Sequence, residues 1–139
     1  MIVPLAFWLF LLGALATGWR AGDQRDRKVI MAVASAAFLT MIAQFALRLP
    51  WESIAIVAIN FLLLAIVARY ALTSHRYWPI WFTGFQAATC SFSLAALFLD
   101  PGAIRQGLAL AAAFWTLPGL IVLCWGLLAD QRAGVSNRL

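Results

Sequence analysis

Few side chains in this chain of 139 residues could carry out chemistry, and their spacing does not bring them together. There is one histidine, His75, and the two cysteines, Cys90 and Cys124, lie far apart inside apolar stretches. Catalysis needs a nucleophile, a base or a set of metal ligands within reach of one another. The spacing of these residues fits neither a zinc site nor a disulfide framework. The sequence therefore predicts a protein that is not an enzyme, with no catalytic, cofactor-binding or metal-binding residue.

Five side chains inside the apolar stretches are the candidates for polar contacts within a membrane. Asn60 lies near the middle of the third stretch. Four more follow one another in the fourth stretch at offsets of three, four and three: Thr83, Gln86, Cys90 and Ser93. These offsets place the four on one stripe of a helix, and because an unpaired amide in lipid is costly, the stripe is expected to face other helices or a cavity. Hydrogen bonds between helices are the simpler interpretation, and a site for a solute is the alternative.

The composition favours a membrane rather than water as the surroundings of the chain. Hydrophobic residues make up 65% and charged residues 11%, whereas a soluble domain has about 25% charged residues. The charges lie between apolar stretches, which predicts an all-α integral membrane bundle with a single domain over 1–139. Five transmembrane helices are expected at about 2–19, 29–47, 51–71, 77–99 and 104–129, with a polar loop at 19–28. Basic residues follow the first stretch rather than precede it, which favours a retained helix over a cleaved signal peptide.

The distribution of basic residues predicts the orientation of the helices. With five spans, eight of the ten Lys and Arg residues fall on one side of the membrane: Arg20, Arg25, Arg27, Lys28, Arg69, Arg76, Arg132 and Arg138. The positive-inside rule puts this side and the C-terminus in the cytoplasm, with the N-terminus on the opposite side. The basic residues lie beside apolar segments and not on one amphipathic face. The expected partners are therefore the lipid bilayer and anionic lipid headgroups at the cytoplasmic loops, rather than nucleic acid.

A charged and aromatic segment at 74–82 leads into the fourth apolar stretch. Pro79 stands where the first turn of a helix accepts proline. Tyr and Trp concentrate at the interface between membrane and water. We interpret the segment as an interfacial anchor, in which the histidine contacts headgroups or, as a weaker alternative, senses pH. Its members are His75, Arg76, Tyr77, Trp78 and Trp81.

This segment also carries a resemblance to a known group of proteins. The run Ser74-His75-Arg76-Tyr77-Trp78-Pro79-Ile80-Trp81, with Gly84-Phe85-Gln86 and Leu99-Asp100-Pro101, resembles small uncharacterised multi-pass membrane proteins of alphaproteobacteria, particularly sphingomonads. The resemblance covers roughly the C-terminal half and implies the bacterial inner membrane and no known activity. In that membrane, the orientation predicted from the basic residues gives a periplasmic N-terminus. Related sequences often carry a histidine mid-span where this chain has Ser91-Phe92-Ser93. That departure argues against a metal or haem site.

Two functions of different classes are compatible with these features. In the first, the chain is a non-enzymatic protein that acts by packing, as an accessory subunit of a membrane-protein partner or as a homo-oligomer, supported by an alanine-rich second stretch. In the second, it is a small transporter or channel module with a polar path along the fourth helix, supported by Asn60, by the stripe and by a bend expected at Pro118. Close packing around the polar residues would favour the first function. A water-filled cavity lined by them would favour the second.

Overall fold

The computed structural model describes residues 2–48, 50–100 and 102–134, without the side chains of 2–6 and 21. The described residues form five α-helices and no strand, which confirms the predicted all-α bundle. The helices are α1 (Ile2–Ala21), α2 (Gln24–Ala46), α3 (Trp51–Thr73), α4 (Trp78–Leu97) and α5 (Ala103–Arg132). Pro101 and Arg138, which contributed to the sequence analysis, lie outside the described residues.

The connection between α1 and α2 is shorter than the sequence predicts. Most of the expected polar loop at 19–28 is helical, because α1 continues to Ala21 and α2 begins at Gln24. The backbone N–H of Asp23, the N-cap residue, donates to Oδ2 of Asp26 at 2.9 Å. A prediction from hydropathy places the end of a helix at the first charged residues. A capped first turn can nevertheless contain carboxylates, because they interact favourably with the helix dipole.

The outer surface of the bundle is apolar. Four helices, α2 to α5, are long and apolar enough to cross a membrane. Large hydrophobic side chains are exposed along them, among them Phe38, Phe45, Leu72, Ile80 and Leu110. Soluble proteins rarely expose so much apolar surface, so the chain is a multi-pass membrane protein. Helix α1 has 20 residues, enough for a hydrocarbon core of ~30 Å at ~1.5 Å per residue, and its crossing of the bilayer stays a prediction.

The five helices form a closed ring. Each helix contacts the helices that precede and follow it in the chain, and α1 also contacts α5. No other pair of helix backbones comes into contact within the described residues. Short connections make successive helices antiparallel, so the ring has two ends. We name them the Arg76 end, where α2 and α4 begin, and the Arg105 end, where α3 and α5 begin.

A packed apolar core fills the half of the ring nearer the Arg76 end. All five helices contribute to it: Leu11, Ala14, Val29, Ile30, Val33, Leu63, Val67, Tyr70, Trp78, Phe82, Leu120, Leu123 and Leu127. The three leucines of α5 are almost completely buried, and their offsets of three and four place them on one face of the helix. Helix α5 runs without a break through Pro118. Close by, Oγ1 of Thr116 donates to the carbonyl of Ala113 at 2.6 Å.

Candidate functional site

A cavity of about 620 Å³ occupies the other half of the ring. All five helices line it, for example through Trp8 of α1, Thr40 of α2, Asn60 of α3, Gln86 of α4 and Trp115 of α5. Sites for small molecules have volumes of about 300–1,000 Å³ and combine mostly apolar walls with a few polar groups. The cavity has both the size and the character of such a site.

The packed core forms the floor of this cavity. Four side chains belong both to the core and to the cavity wall, one each from α2, α3, α4 and α5: Val33, Leu63, Phe82 and Leu120. Beyond them the core continues to the Arg76 end. At the opposite end, Gln44 and Gln106 line the cavity and are exposed. The cavity therefore opens at the Arg105 end and is closed by packed side chains near the middle of the bundle.

Two amide side chains meet about one helical turn above the floor. Gln86 is 5% exposed, and its Nε2 donates to the backbone carbonyl and to Oδ1 of Asn60, at 3.3 Å in each case. Both residues line the cavity. Among the described residues, neither Oε1 of Gln86 nor Nδ2 of Asn60 takes part in a hydrogen bond. The pair therefore offers one acceptor and one donor to the cavity.

Hydroxyl groups and aromatic rings of α4 and α5 form the wall beside this pair. Oγ1 of Thr89 lies 3.1 Å from the carbonyl oxygen of Phe85 and 3.4 Å from that of Ala112, so it links the two helices. The ring of Phe85 stacks on Trp115 with 5.9 Å between centroids and 26° between planes. Ser93 lines the cavity one helical turn beyond Thr89. This wall combines flat apolar surfaces with neutral hydrogen-bonding groups.

The mouth of the cavity carries its charged side chains. Glu52 and Ser53 from the first turn of α3 and Arg105 from the first turn of α5 line it. A guanidinium nitrogen of Arg105 donates to Oγ of Ser53 at 2.5 Å and joins the two helices. One carboxylate and one guanidinium therefore stand at the opening, so the mouth has no excess of either sign.

The structure brings some of the predicted polar residues to the cavity and leaves others away from it. Asn60, Gln86 and Ser93 line it, whereas Thr83 and Cys90 do not. The hydroxyl of Thr83 instead donates to the carbonyl of Pro79 in its own helix at 2.7 Å. Cys90 is buried among the helices. The stripe is therefore divided between the cavity and the packed side of α4.

Thr89 is a lining residue that the sequence reasoning missed. The series Gln86, Thr89 and Ser93 has offsets of three and four, which fit a helical face as well as the series with Cys90 does. Helical spacing alone was therefore sufficient to name Thr89 as a candidate lining residue. Only the position of the neighbouring helices decides which of the two series faces inward.

A buried ionic cluster closes the ring at the Arg76 end. The guanidinium of Arg76 lies 3.2 Å from Oδ2 of Asp23, 3.4 Å from Oδ2 of Asp26 and 3.2 Å from Oδ2 of Asp130. The hydroxyl of Tyr70 donates to Oδ1 of Asp26, which is fully buried. These groups connect the start of α2, the end of α3, the α3–α4 connection and the end of α5. In the part of the chain that the structure describes, no three His, Cys, Asp or Glu side chains could hold a metal ion.

The burial of two residues of the 74–82 segment corrects its interpretation as an interfacial anchor. Arg76 and Trp78 are each 3% exposed and point into the bundle. The indole N–H of Trp78 is buried without a hydrogen-bond partner among the described residues, whereas an interfacial tryptophan holds this group in the wet headgroup region. His75, Tyr77 and Trp81 are exposed. Only these three keep the placement expected of an anchor.

The remaining described basic residues at the Arg76 end form an exposed rim. They are Arg20, Arg25, Arg27, Lys28, Arg69 and Arg132. Arg27 lies over the ring of Trp19 at 5.3 Å and donates to the carbonyl of Trp19 at 2.9 Å. Cationic and aromatic side chains thus share this end of the bundle, as they do near anionic headgroups.

Comparison of the chain with models of protein families, with curated proteins and with solved structures gives no match. The resemblance to the alphaproteobacterial group stays a prediction.

Proposed function

We propose that the protein is a small transporter module that takes up a small molecule from one side of the membrane. The observation that carries this proposal is the cavity of about 620 Å³, which is lined by all five helices, opens at the Arg105 end and is closed by the packed core toward the Arg76 end. Binding sites of membrane transporters lie near the middle of the bilayer, between helices. The amide pair of Asn60 and Gln86 lies near the middle of α3 and α4, which would put it at this depth.

A transporter fits the geometry better than an open channel does. The side chains of the core fill the ring between the floor and the Arg76 end. The ionic cluster of Arg76 with its three carboxylates then joins α2, α5 and the α3–α4 connection beyond the core. A continuous pore would need a polar lining through this half of the ring, and the core there is apolar.

The accessory-subunit hypothesis receives less support. It requires close packing around the polar residues of α3 and α4. In this structure Asn60, Gln86 and Ser93 border a cavity instead. The proposed transporter, like the accessory subunit, would act without catalysing a reaction.

The proposed orientation puts the Arg76 end in the cytoplasm. The exposed basic rim at that end supports it through the positive-inside rule, and contact of this rim with anionic headgroups would hold the bundle in place. The resemblance of 74–101 to alphaproteobacterial proteins supports the inner membrane of a bacterium as the location. The cavity would then open to the periplasm.

Two serines of α4 provide a matched test of the cavity. Ser93 lines it, whereas Ser91 is exposed on the outside of the bundle and donates to the carbonyl of Ala87 at 2.9 Å. Each is changed to cysteine in a background with Cys90→Ala and Cys124→Ala, and the protein is reconstituted in lipid nanodiscs. We expect a hydrophilic, uncharged methanethiosulfonate reagent to modify Ser93→Cys at least about tenfold faster than Ser91→Cys, because the reactive thiolate forms only where water reaches it.

Equal rates of modification would contradict the proposal. Gln106→Cys, at the mouth, is the positive control and is expected to react fastest. If Gln106→Cys reacts while Ser93→Cys stays unmodified, the cavity does not admit water to its middle, and the accessory-subunit hypothesis gains support.

A further inference from the structure

The inner part of the cavity has no charged side chain among the described residues that line it. Glu52 and Arg105 are the charged lining residues, and both stand at the mouth. The polar groups deeper in are neutral: Thr40, Asn60, Gln86, Thr89, Ser93 and Thr116. Moving an ion away from water without a fixed counter-charge is costly. A ligand that reaches the floor is therefore uncharged at its inner end.

The amide pair also restricts which uncharged groups of a ligand can bind beside it. The Nε2 atom of Gln86 is engaged by Asn60, which fixes the side chain and leaves Oε1 as an acceptor and Nδ2 of Asn60 as a donor. A group that offers one donor and one acceptor side by side complements both atoms at once. Primary carboxamides, lactams and ureas have this arrangement, whereas an ether or a ketone satisfies the donor alone.

The walls around the pair fit a flat apolar body. Phe82 closes the floor, and the stacked rings of Phe85 and Trp115 also line the cavity. Aromatic walls favour ring systems that stack on them. The volume of about 620 Å³ lies in the middle of the range of about 300–1,000 Å³ for drug-sized ligands.

We infer that the cavity binds an uncharged amphipathic small molecule with a carboxamide-like group at its inner end and an aromatic or other apolar body. The inference rests on the proposed function and specifies its class of ligand. It makes the amides of Asn60 and Gln86 specificity-determining residues of the site. It also excludes inorganic ions and fully charged metabolites as the preferred ligands.

Three probes of equal size and shape test the inference: biphenyl-4-carboxamide, biphenyl-4-carboxylate and biphenyl-4-carboxamidine. They differ in the charge of the terminal group, which is neutral, negative and positive at pH 7. Binding is measured by calorimetry on the full chain in nanodiscs, with empty nanodiscs subtracted to remove partition into lipid. We expect the carboxamide to bind at least about tenfold more tightly than either charged probe, because a site that hydrogen-bonds one group discriminates against its analogues.

A variant pair identifies the atoms responsible. Gln86→Leu is expected to weaken binding of the carboxamide at least about tenfold, since it removes the acceptor and releases Asn60. Thr83→Val lies one helical turn away, outside the cavity lining, and is expected to keep the affinity for the carboxamide. The melting temperature of Gln86→Leu should fall by no more than about 5 °C, which separates loss of binding from loss of fold.

The comparison of the three probes on the unmodified chain does not depend on any variant. Tighter binding of the carboxylate or of the carboxamidine, or no binding of the carboxamide up to its solubility limit, would overturn the inference. If the carboxamide does not bind while Ser93→Cys is modified rapidly, the ligand class is wrong and the proposed function survives. If neither occurs, both fail.

Discussion

Arg76→Met is expected to lower the free energy of unfolding by about 3–5 kcal/mol, which is the range for removing one partner of a buried ion pair. The guanidinium is almost completely buried and lies within 3.4 Å of three carboxylates. Without it, the fully buried carboxylate of Asp26 keeps the hydroxyl of Tyr70 and the N–H of Asp23 but loses its cation. The measurement is equilibrium unfolding in mixed detergent micelles, followed by far-UV circular dichroism.

Arg69→Met is the matched control for this prediction. Arg69 is exposed near the end of α3, on the same side of the bundle, so its change should stay within about 0.5 kcal/mol. Adding Asp26→Asn to Arg76→Met is expected to restore about 1 kcal/mol or more, because the buried negative charge is then removed with its partner. Equal losses for Arg69→Met and Arg76→Met would show that the cluster does not stabilise the bundle.

Gly126→Ala is expected to destabilise the bundle by about 1–3 kcal/mol, the usual range for overpacking a core. A Cβ atom at this position would lie 2.2 Å from Cβ and 2.8 Å from Cγ of Trp78. These are the atoms nearest the backbone of α4, and the indole is held between Tyr70 and Phe82, with centroids at 5.8 and 6.5 Å. Since the side chain has no room to move, α4 and α5 must separate. Equilibrium unfolding in mixed detergent micelles measures this decrease in the free energy of unfolding.

Gly107→Ala provides the comparison on the same helix. Its added methyl group meets no atom within 4 Å, so the variant should gain up to about 1 kcal/mol from helix propensity or remain unchanged. A stable Gly126→Ala protein with an unchanged melting temperature would mean that α4 and α5 are not packed as closely as described.

Hydropathy predicted the number and type of helices because charged residues separate the apolar stretches from one another. It was least accurate where a charged turn is part of a helix, at the start of α2 and at the end of α5. Asp26 lies in the first turn of α2 and Asp130 in the last turn of α5. From the sequence, a carboxylate at such a position is assigned to a loop unless the capping interaction or the ion-pair partner of the carboxylate is known.

The misplacement of Arg76 and Trp78 has a different cause. An aromatic and basic run before an apolar stretch has the same local pattern whether it lies in headgroups or turns into the bundle. What buries Arg76 is the approach of Asp23 and Asp130, which lie 53 and 54 residues away in the chain. Only the closure of the ring brings both to the α3–α4 connection.

The cavity was predictable in part. The sequence indicated that Asn60 and Gln86 would face other helices or an internal space, since lipid would leave their amides unpaired. It contained no information on the volume, the floor or the mouth, because these depend on how five helices are arranged in a ring. The role of Arg105 at the mouth follows from the position of Ser53 on another helix, a contact that local periodicity does not encode.

The most direct test of a cavity open at one end is the sidedness of Ser93→Cys modification in sealed membrane vesicles. His75→Cys marks the Arg76 end and Gln106→Cys marks the Arg105 end, since both positions are exposed. A membrane-impermeant thiol reagent is applied to right-side-out and to inverted vesicles. We expect Ser93→Cys to react from the same side as Gln106→Cys and to be protected on the side from which His75→Cys reacts. Modification of Ser93→Cys from the His75 side, or at equal rates from both sides, would contradict a cavity that is closed at the Arg76 end.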